Sequence, residues 1–260
     1  MAPKPSIPLP AEVAIFLRHY LPHPRPVDDN RPYVTLTYAT SLDSHLSLAP
    51  GVQTALSGPK SKAMTHYLRS QHQAILVGVS TAIADDPGLN CRIEGDPEQP
   101  TPIILDPMFR WQFTRDARVL QTARNGEGRG PVVFVAAGAN REEDPRIQWI
   151  EEAGGAVIAL DGLVGGLWEW SRLLEKILEL GFESLMVEGG AGVINSLLAG
   201  DAKELVDAVI VTIAPVYLGA GGVNVSPPSN DKTAPVVKFR EVKWGVFDAD
   251  AVMAARLEKC

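Results

Sequence analysis

Between Tyr33 and Ala214 the chain alternates short apolar runs with stretches of helical period, and this alternation restricts the possible folds more than any other feature. Residues 33–39 set Val34, Leu36 and Tyr38 against Thr35 and Thr37, the period of two expected of a strand. A helix is predicted over 61–71, followed by strands over 74–79, 102–105 and 132–136. Helices over 145–153, 167–180 and 191–199 then alternate with strands over 156–160, 184–187 and 206–214. Strands separated by helices need crossover connections, which produce a mostly parallel sheet covered on both faces. The expected class is therefore α/β. The apolar runs 236–246 and 252–257 have no helix between them and are predicted as an antiparallel hairpin added to that sheet.

Ahead of the first strand, residues 11–20 place Val13, Ile15, Phe16 and Leu17 on a short amphipathic helix that ends before Pro22, and 22–32 reads as a linker. The division expected is an N-terminal helix and linker over 1–30 and one domain over 31–260. Residues 226–235, rich in proline and polar side chains, form a surface loop, and 126–130 is a small flexible patch.

Composition removes several classes of function. The formal net charge of −7 and the lack of a Lys/Arg-rich run argue against nucleic acid as a partner. The apolar runs are far shorter than the roughly 20 residues that span a bilayer. Residues 1–10 have no apolar core of the secretory kind, so a cytoplasmic protein is expected. Cys91 and Cys260 are expected as free thiols and cannot form a thiol metal site by themselves, and no metal site is expected.

Four segments can carry chemistry. The first strand runs into Thr40-Ser41-Leu42-Asp43-Ser44, at the sheet edge where ligands bind in open α/β folds, although a local turn explains the same residues. Ser57-Gly58-Pro59 opens a helix on which Lys62, His66 and Arg69 share one face, either to hold phosphate or to meet solvent. The stretch 76–92 breaks at Gly78 into a loop with Thr81, Asp85-Asp86, Pro87-Gly88 and Arg92. Paired carboxylates can do acid/base work, while Asp-Asp-Pro-Gly is also an ordinary turn. Finally, Val187-Glu188-Gly189-Gly190-Ala191-Gly192-Val193 ends a strand in glycines and opens a helix, where free N–H groups and close backbone approach favour an anion. Its spacing is not the Rossmann dinucleotide fingerprint. A second glycine cluster, 218–222, fits a flexible connection better than a site.

In this order and spacing the segments resemble the riboflavin-pathway reductase family. The resemblance rests on Ser-Leu-Asp, Ser-Gly-Pro before a helix with His and Arg, Val-Gly-x-x-Thr-x-x-x-Asp-x-Pro-x-Leu-x-x-Arg, and Val-Glu-Gly-Gly, and spans roughly 31–257. Residues 33–39 and 64–69 look especially like the family's stand-alone fungal branch. The resemblance implies a dihydrofolate-reductase-like fold, a homodimer, and NADPH-dependent reduction of the ribosylamino side chain of a phosphorylated pyrimidine. It implies that Thr81 and Asp85 contact NADPH and that Gly189, Gly190, Ala191, Gly192 and Val193, with the helix start through Ser196, hold its phosphates. It implies that Arg69, Leu89, Arg92 and Glu188 face the substrate, Arg69 and Arg92 being the phosphate partners. Asp43, Asp85 and Glu188 are candidates for proton transfer, and Asp43 and Glu188 for the catalytic role. The family's frequent Ser-Leu-Asp-Gly-Lys is Ser-Leu-Asp-Ser-His here, so His45 inherits no role. The family's bacterial version has a zinc deaminase fused in front; its His-x-Glu and Pro-Cys-x-x-Cys signature is missing, and a reductase alone is expected. Two alternatives remain: a pteridine or folate-type reductase of the same fold, and a catalytically silent nucleotide-binding module.

Overall fold

The computed structural model describes residues 5–24, 29–139, 143–228 and 233–259. The first four residues of the leader, parts of the 22–32 linker and the 226–235 loop, and Cys260 lie outside these.

One nine-stranded sheet organises the chain. Its strands are β1 (Tyr33–Thr40), β2 (Ala74–Gly78), β3 (Thr101–Leu105), β4 (Val132–Ala136), β5 (Ala156–Leu160), β6 (Ser184–Gly189), β7 (Ala208–Ile213), β8 (Phe239–Phe247) and β9 (Asp250–Leu257). They lie in the order β8-β9-β7-β1-β6-β2-β3-β4-β5. Seven strands from β7 to β5 are mutually parallel, and the C-terminal hairpin β8–β9 joins antiparallel to β7. The mostly parallel α/β sheet with its antiparallel C-terminal hairpin is the architecture that the resemblance implies.

The parallel strands are apolar on both sides because both sides are covered. Val34, Leu36, Leu76 and Val187 face α6 (Trp170–Glu179) and α7 (Ala191–Leu197). On the other side, Ile75, Val77, Ile104 and Val133 meet α3 (Val79–Asp85), α4 (Arg118–Arg124) and α5 (Pro145–Glu152). Beside them Tyr33, Met186, Ile210, Val252 and Ala254 pack on α1 (Ala11–Leu17) and α2 (Pro59–Ser70). The N-terminal helix thus shares a hydrophobic cluster with the sheet. Among the described residues no helix is long and apolar enough to cross a membrane.

Three helices differ from the sequence expectation. Val79 opens α3 instead of ending a strand, and its seven residues VSTAIAD are short and rich in β-branched side chains, which hides the helical period. α4 was not anticipated either; it is seven residues long, with Val119, Leu120 and Thr122 buried. The predicted helix over 167–180 begins only at Trp170, because Leu167–Trp168 pairs with Leu163–Val164.

The hairpin reaches across to hold α2. At its turn the buried Asp250 accepts Gly58 N–H (2.8 Å) and Ser61 Oγ–H (2.6 Å), and Asp248 accepts Lys60 N–H (3.0 Å). Gly58, the N-cap, has no side chain to satisfy the first-turn donors, so a carboxylate from the far end of the chain does so.

Candidate active site

In the sheet, β6 returns between β1 and β2, and β7 is placed on the other side of β1. Such a change of direction opens a crevice beyond the carboxyl ends of the strands. A cleft of about 1250 Å³ lies there, lined by residues of the first strand, the 50–57 loop, α2, α3, the 87–93 loop, α4 and the glycine turn after β6.

Glu188 enters the cleft through a bulge. Val187 pairs with Leu76 but Gly189 pairs with Val77, so Glu188 is the extra residue on β6. Bulges re-aim side chains, and this one presents the carboxylate to α2. Arg69 answers with a two-pronged ion pair, Nε to Oε1 at 2.8 Å and Nη2 to Oε2 at 2.7 Å, both side chains being less than one-fifth exposed. Its Nη1 donates to the Asn90 carbonyl at 3.0 Å. Arg69 therefore ties together α2, β6 and the 87–93 loop.

The glycine turn is shaped by contacts that forbid side chains. Gly189 and Gly190 have φ of +71° and +99°. A Cβ on Gly189 would lie 2.5 Å from Ile194 Cγ1, and one on Gly190 would lie 2.6 Å from Thr81 Oγ1. Thr81 Oγ also donates to the Gly189 carbonyl at 3.0 Å, which fixes the turn to α3. Gly78 completes the motif: a Cβ there would meet Val193 Cγ2 at 2.9 Å, so its absence lets α7 approach β2. The first α7 amide with an intrahelical acceptor is that of Ile194, which donates to Gly190 O at 3.0 Å. The turn has no side-chain cap, and Gly190, Ala191 and Gly192 border the cleft. A backbone cradle with uncommitted amides fits a dinucleotide phosphate.

Lys62, His66 and Arg69 do share the cleft-facing side of α2. Lys62 is exposed at the rim, whereas His66 is buried and takes the Arg92 N–H on Nδ1 at 3.1 Å. Cys91 is a buried free thiol donating to the His66 carbonyl at 3.0 Å. The two aspartates divide their work. Asp85 borders the cleft, and burial pushes its pKa up. Asp86 closes α3 in the left-handed region (φ +39°) and accepts Arg118 N–H at 2.9 Å, the turn function the sequence offered as an alternative. Leu89 also has positive φ (+54°) and borders the cleft, with its side chain only 2% exposed in the cluster of Ile75, Val77 and Leu120.

Asp43 stands apart. Its carboxylate accepts Ser41 Oγ–H (2.5 Å), Leu218 N–H (3.0 Å) and Gly219 N–H (2.8 Å), and it is not among the residues lining the cleft. The Ser41 hydroxyl, then the Leu218 amide, hold its pKa well below the usual carboxylate range. Asp43, expected as a catalytic candidate, fastens the second glycine cluster to the end of β1. Sequence reasoning also missed Arg118 and Asn90, which line the cleft, because α4 and the carbonyl contact to Arg69 leave no periodic signal. Among the described residues no group of three or more His, Cys, Asp or Glu side chains is arranged to hold a metal ion.

The arrangement has counterparts. Residues 32–253 match the model of the RibD C-terminal domain. A 2,5-diamino-6-ribosylamino-4(3H)-pyrimidinone 5′-phosphate reductase of Debaryomyces hansenii is 40% identical, covering 96% of this chain and 98% of the relative. The solved riboflavin biosynthesis reductase Rib7 of Saccharomyces cerevisiae superposes with a TM-score of 0.78 at 34% identity, covering 95% of this chain and all of the other. RibD of Acinetobacter baumannii shares the fold, with a TM-score of 0.71 at 22% identity, covering 88% of this chain and 59% of the other. The chain belongs to the family of the RibD C-terminal domain.

Proposed function

We propose that this chain is an NADPH-dependent reductase converting the ribosylamino side chain of 2,5-diamino-6-(5-phospho-ribosylamino)pyrimidin-4(3H)-one to the ribitylamino product in riboflavin biosynthesis. The observation that carries the reading is the meeting, in one cleft, of the Arg69–Glu188 pair with a glycine cradle pinned by Thr81. Support comes from the relatives named as this reductase over nearly their whole length.

NADPH, when bound at Thr81, Asp85 and the turn from Gly189 to Val193, supplies the hydride that reduces C1′ of the opened sugar. The chain's own part is orientation and proton handling. Glu188, gripped by Arg69, presents a fixed carboxylate to the substrate, with Arg92 and Leu89 bordering the same cleft. Of the three candidate carboxyls, Asp43 is engaged outside the cleft and Glu188 is paired. Asp85 has its pKa raised by burial and is the one we assign to proton exchange at the opening sugar. Asp85→Asn is expected to remove one titration from the pH profile of kcat; a profile identical to the parent's would clear Asp85 of that role.

The same reading places a homodimer in the cytoplasm. Val242, Trp244 and Val246 form an exposed apolar row along β8, which supports association. The decisive assay follows NADPH absorbance with the diamino substrate and then with its deaminated counterpart. Oxidation with the diamino compound is expected, and reduction of the deaminated one instead would reverse the order assigned. NADPH binding without oxidation by either compound would favour a silent nucleotide-binding module, and activity that survives loss of Arg92 would favour a pteridine-type substrate.

A further inference from the structure

Four cations border the cleft: Lys62, Arg69, Arg92 and Arg118. They are not equally available. Arg69 spends Nε and Nη2 on Glu188 and Nη1 on the Asn90 carbonyl. Lys62 is solvated at the rim. Arg92 and Arg118 differ from Arg69 in that, among the described residues, neither forms an ion pair with a carboxylate, and from Lys62 in being partly buried.

The surroundings of these two arginines favour an anion. Arg118 Nε is buried and makes no hydrogen bond. Its side chain lies over Gly88, where a Cβ would meet Asn90 Oδ1 at 3.1 Å, Thr122 Oγ1 at 3.3 Å and Arg118 Cδ at 3.6 Å. Arg92 has Nη2 3.0 Å from His66 Nε2. His66 already accepts the Arg92 amide on Nδ1, so a neutral ring carries its proton on Nε2 and offers the guanidinium no acceptor. Burial, then the charges of Arg69 and Arg118, lower the pKa of Arg92. Two guanidiniums that border one cleft without a carboxylate partner are suited to an anion between them, and guanidinium forks match phosphate oxygens.

We propose that Arg118, which neither the motifs nor the relatives' names single out, clamps the substrate's 5′-phosphate together with Arg92 over Gly88. Arg69, in this assignment, is the positioning partner of Glu188 and not a phosphate ligand. The inference rests on the reductase reading above. The cofactor also carries phosphates, but these are assigned to the glycine turn, and Arg92 stands on the α2 side of the cleft, bonded to His66.

The test uses the full chain with Arg118→Gln and Arg118→Lys, both checked for parental thermal unfolding; the Lys variant keeps the test open if Gln fails to fold. Expected for Gln is a rise of about 10-fold or more in KM for the phosphorylated substrate, with kcat and the NADPH Kd changed less than about 3-fold. The Lys variant should recover part of the loss, since a point charge replaces the fork. Inorganic phosphate should compete with substrate in the parent and lose affinity in parallel in the variants. An unchanged KM, or a loss confined to NADPH affinity, overturns the clamp. Phosphate binding by calorimetry needs no turnover, so its loss in Arg118→Gln supports the clamp even if the pyrimidine substrate is wrong. An inactive parent sinks the reductase reading alone.

Discussion

Two glycine clusters flank the central strand: Gly189-Gly190-Ala191-Gly192 after β6, and Gly219-Ala220-Gly221-Gly222 beyond β7. They are nearly interchangeable as text, yet the molecule uses them differently. In the first, Ile194 and Thr81 occupy the space a side chain would need. In the second, Gly219 and Gly221 have open surroundings, Gly222 packs against His45 and the Ser47 carbonyl, and the cluster is held by Asp43. The difference lies in what closes in: the first turn is pinned by Thr81 and Ile194 on two helices that border the cleft, the second by the chain that follows β1.

The comparison can be broken at four points, the largest effect first. Gly190→Ala combines a left-handed φ with a clash against Thr81 and should cost about 2–3 kcal/mol locally, seen as loss of NADPH binding in a fluorescence titration. An unchanged Kd would show that the turn is not the cradle. Glu188→Gln leaves Arg69 without its carboxylate, and removing one partner of a largely buried pair costs about 3 kcal/mol. Turnover should fall about 10- to 100-fold with NADPH binding intact; full turnover would remove Glu188 from the mechanism.

Asp43→Asn acts on the second cluster. Its lowered pKa means the ionised clamp contributes stability above the ordinary carboxylate pKa, and that contribution fades as pH falls toward the lower folded value. At neutral pH the substitution should lower the melting temperature by a few degrees and leave the NADPH Kd in place. A Kd that shifts with Asp43 would merge the two regions functionally. Gly221→Ala meets open space but keeps φ at +97°, so a loss of about 1 kcal/mol and turnover within about 2-fold are expected from calorimetry and kinetics.

These differences explain what the sequence could disclose. The strands of the parallel sheet and the C-terminal hairpin follow from short apolar runs that survive any choice of neighbours. The glycine turn was visible as a motif, but its distinction from residues 218–222 depends on Thr81 and Ile194 arriving from elsewhere in the fold. The bulge at Glu188 is a property of pairing with β2 and leaves the local pattern unchanged. Arg118 lies 26 residues beyond Arg92 along the chain and joins the cleft only through α4, a helix too short to announce itself. Asp43 had the right residue type at the right sheet edge, and only the Leu218 and Gly219 amides show where its oxygens go.

The carboxylate of Asp250 that seats α2 carries a consequence for how the enzyme is made. It leaves the ribosome 192 residues after Gly58, an interval of about 10 to 40 s at ordinary rates of synthesis. Throughout that time α2 lacks its distant cap, and for the earlier part of it β6 and β7 are not yet beside β1, so the apolar side chains of Met64 and Leu68 have little to cover them. Arg69 cannot meet Glu188 until β6 has emerged. The helix that carries Arg69 is therefore fastened at its start only once the C-terminal hairpin has emerged.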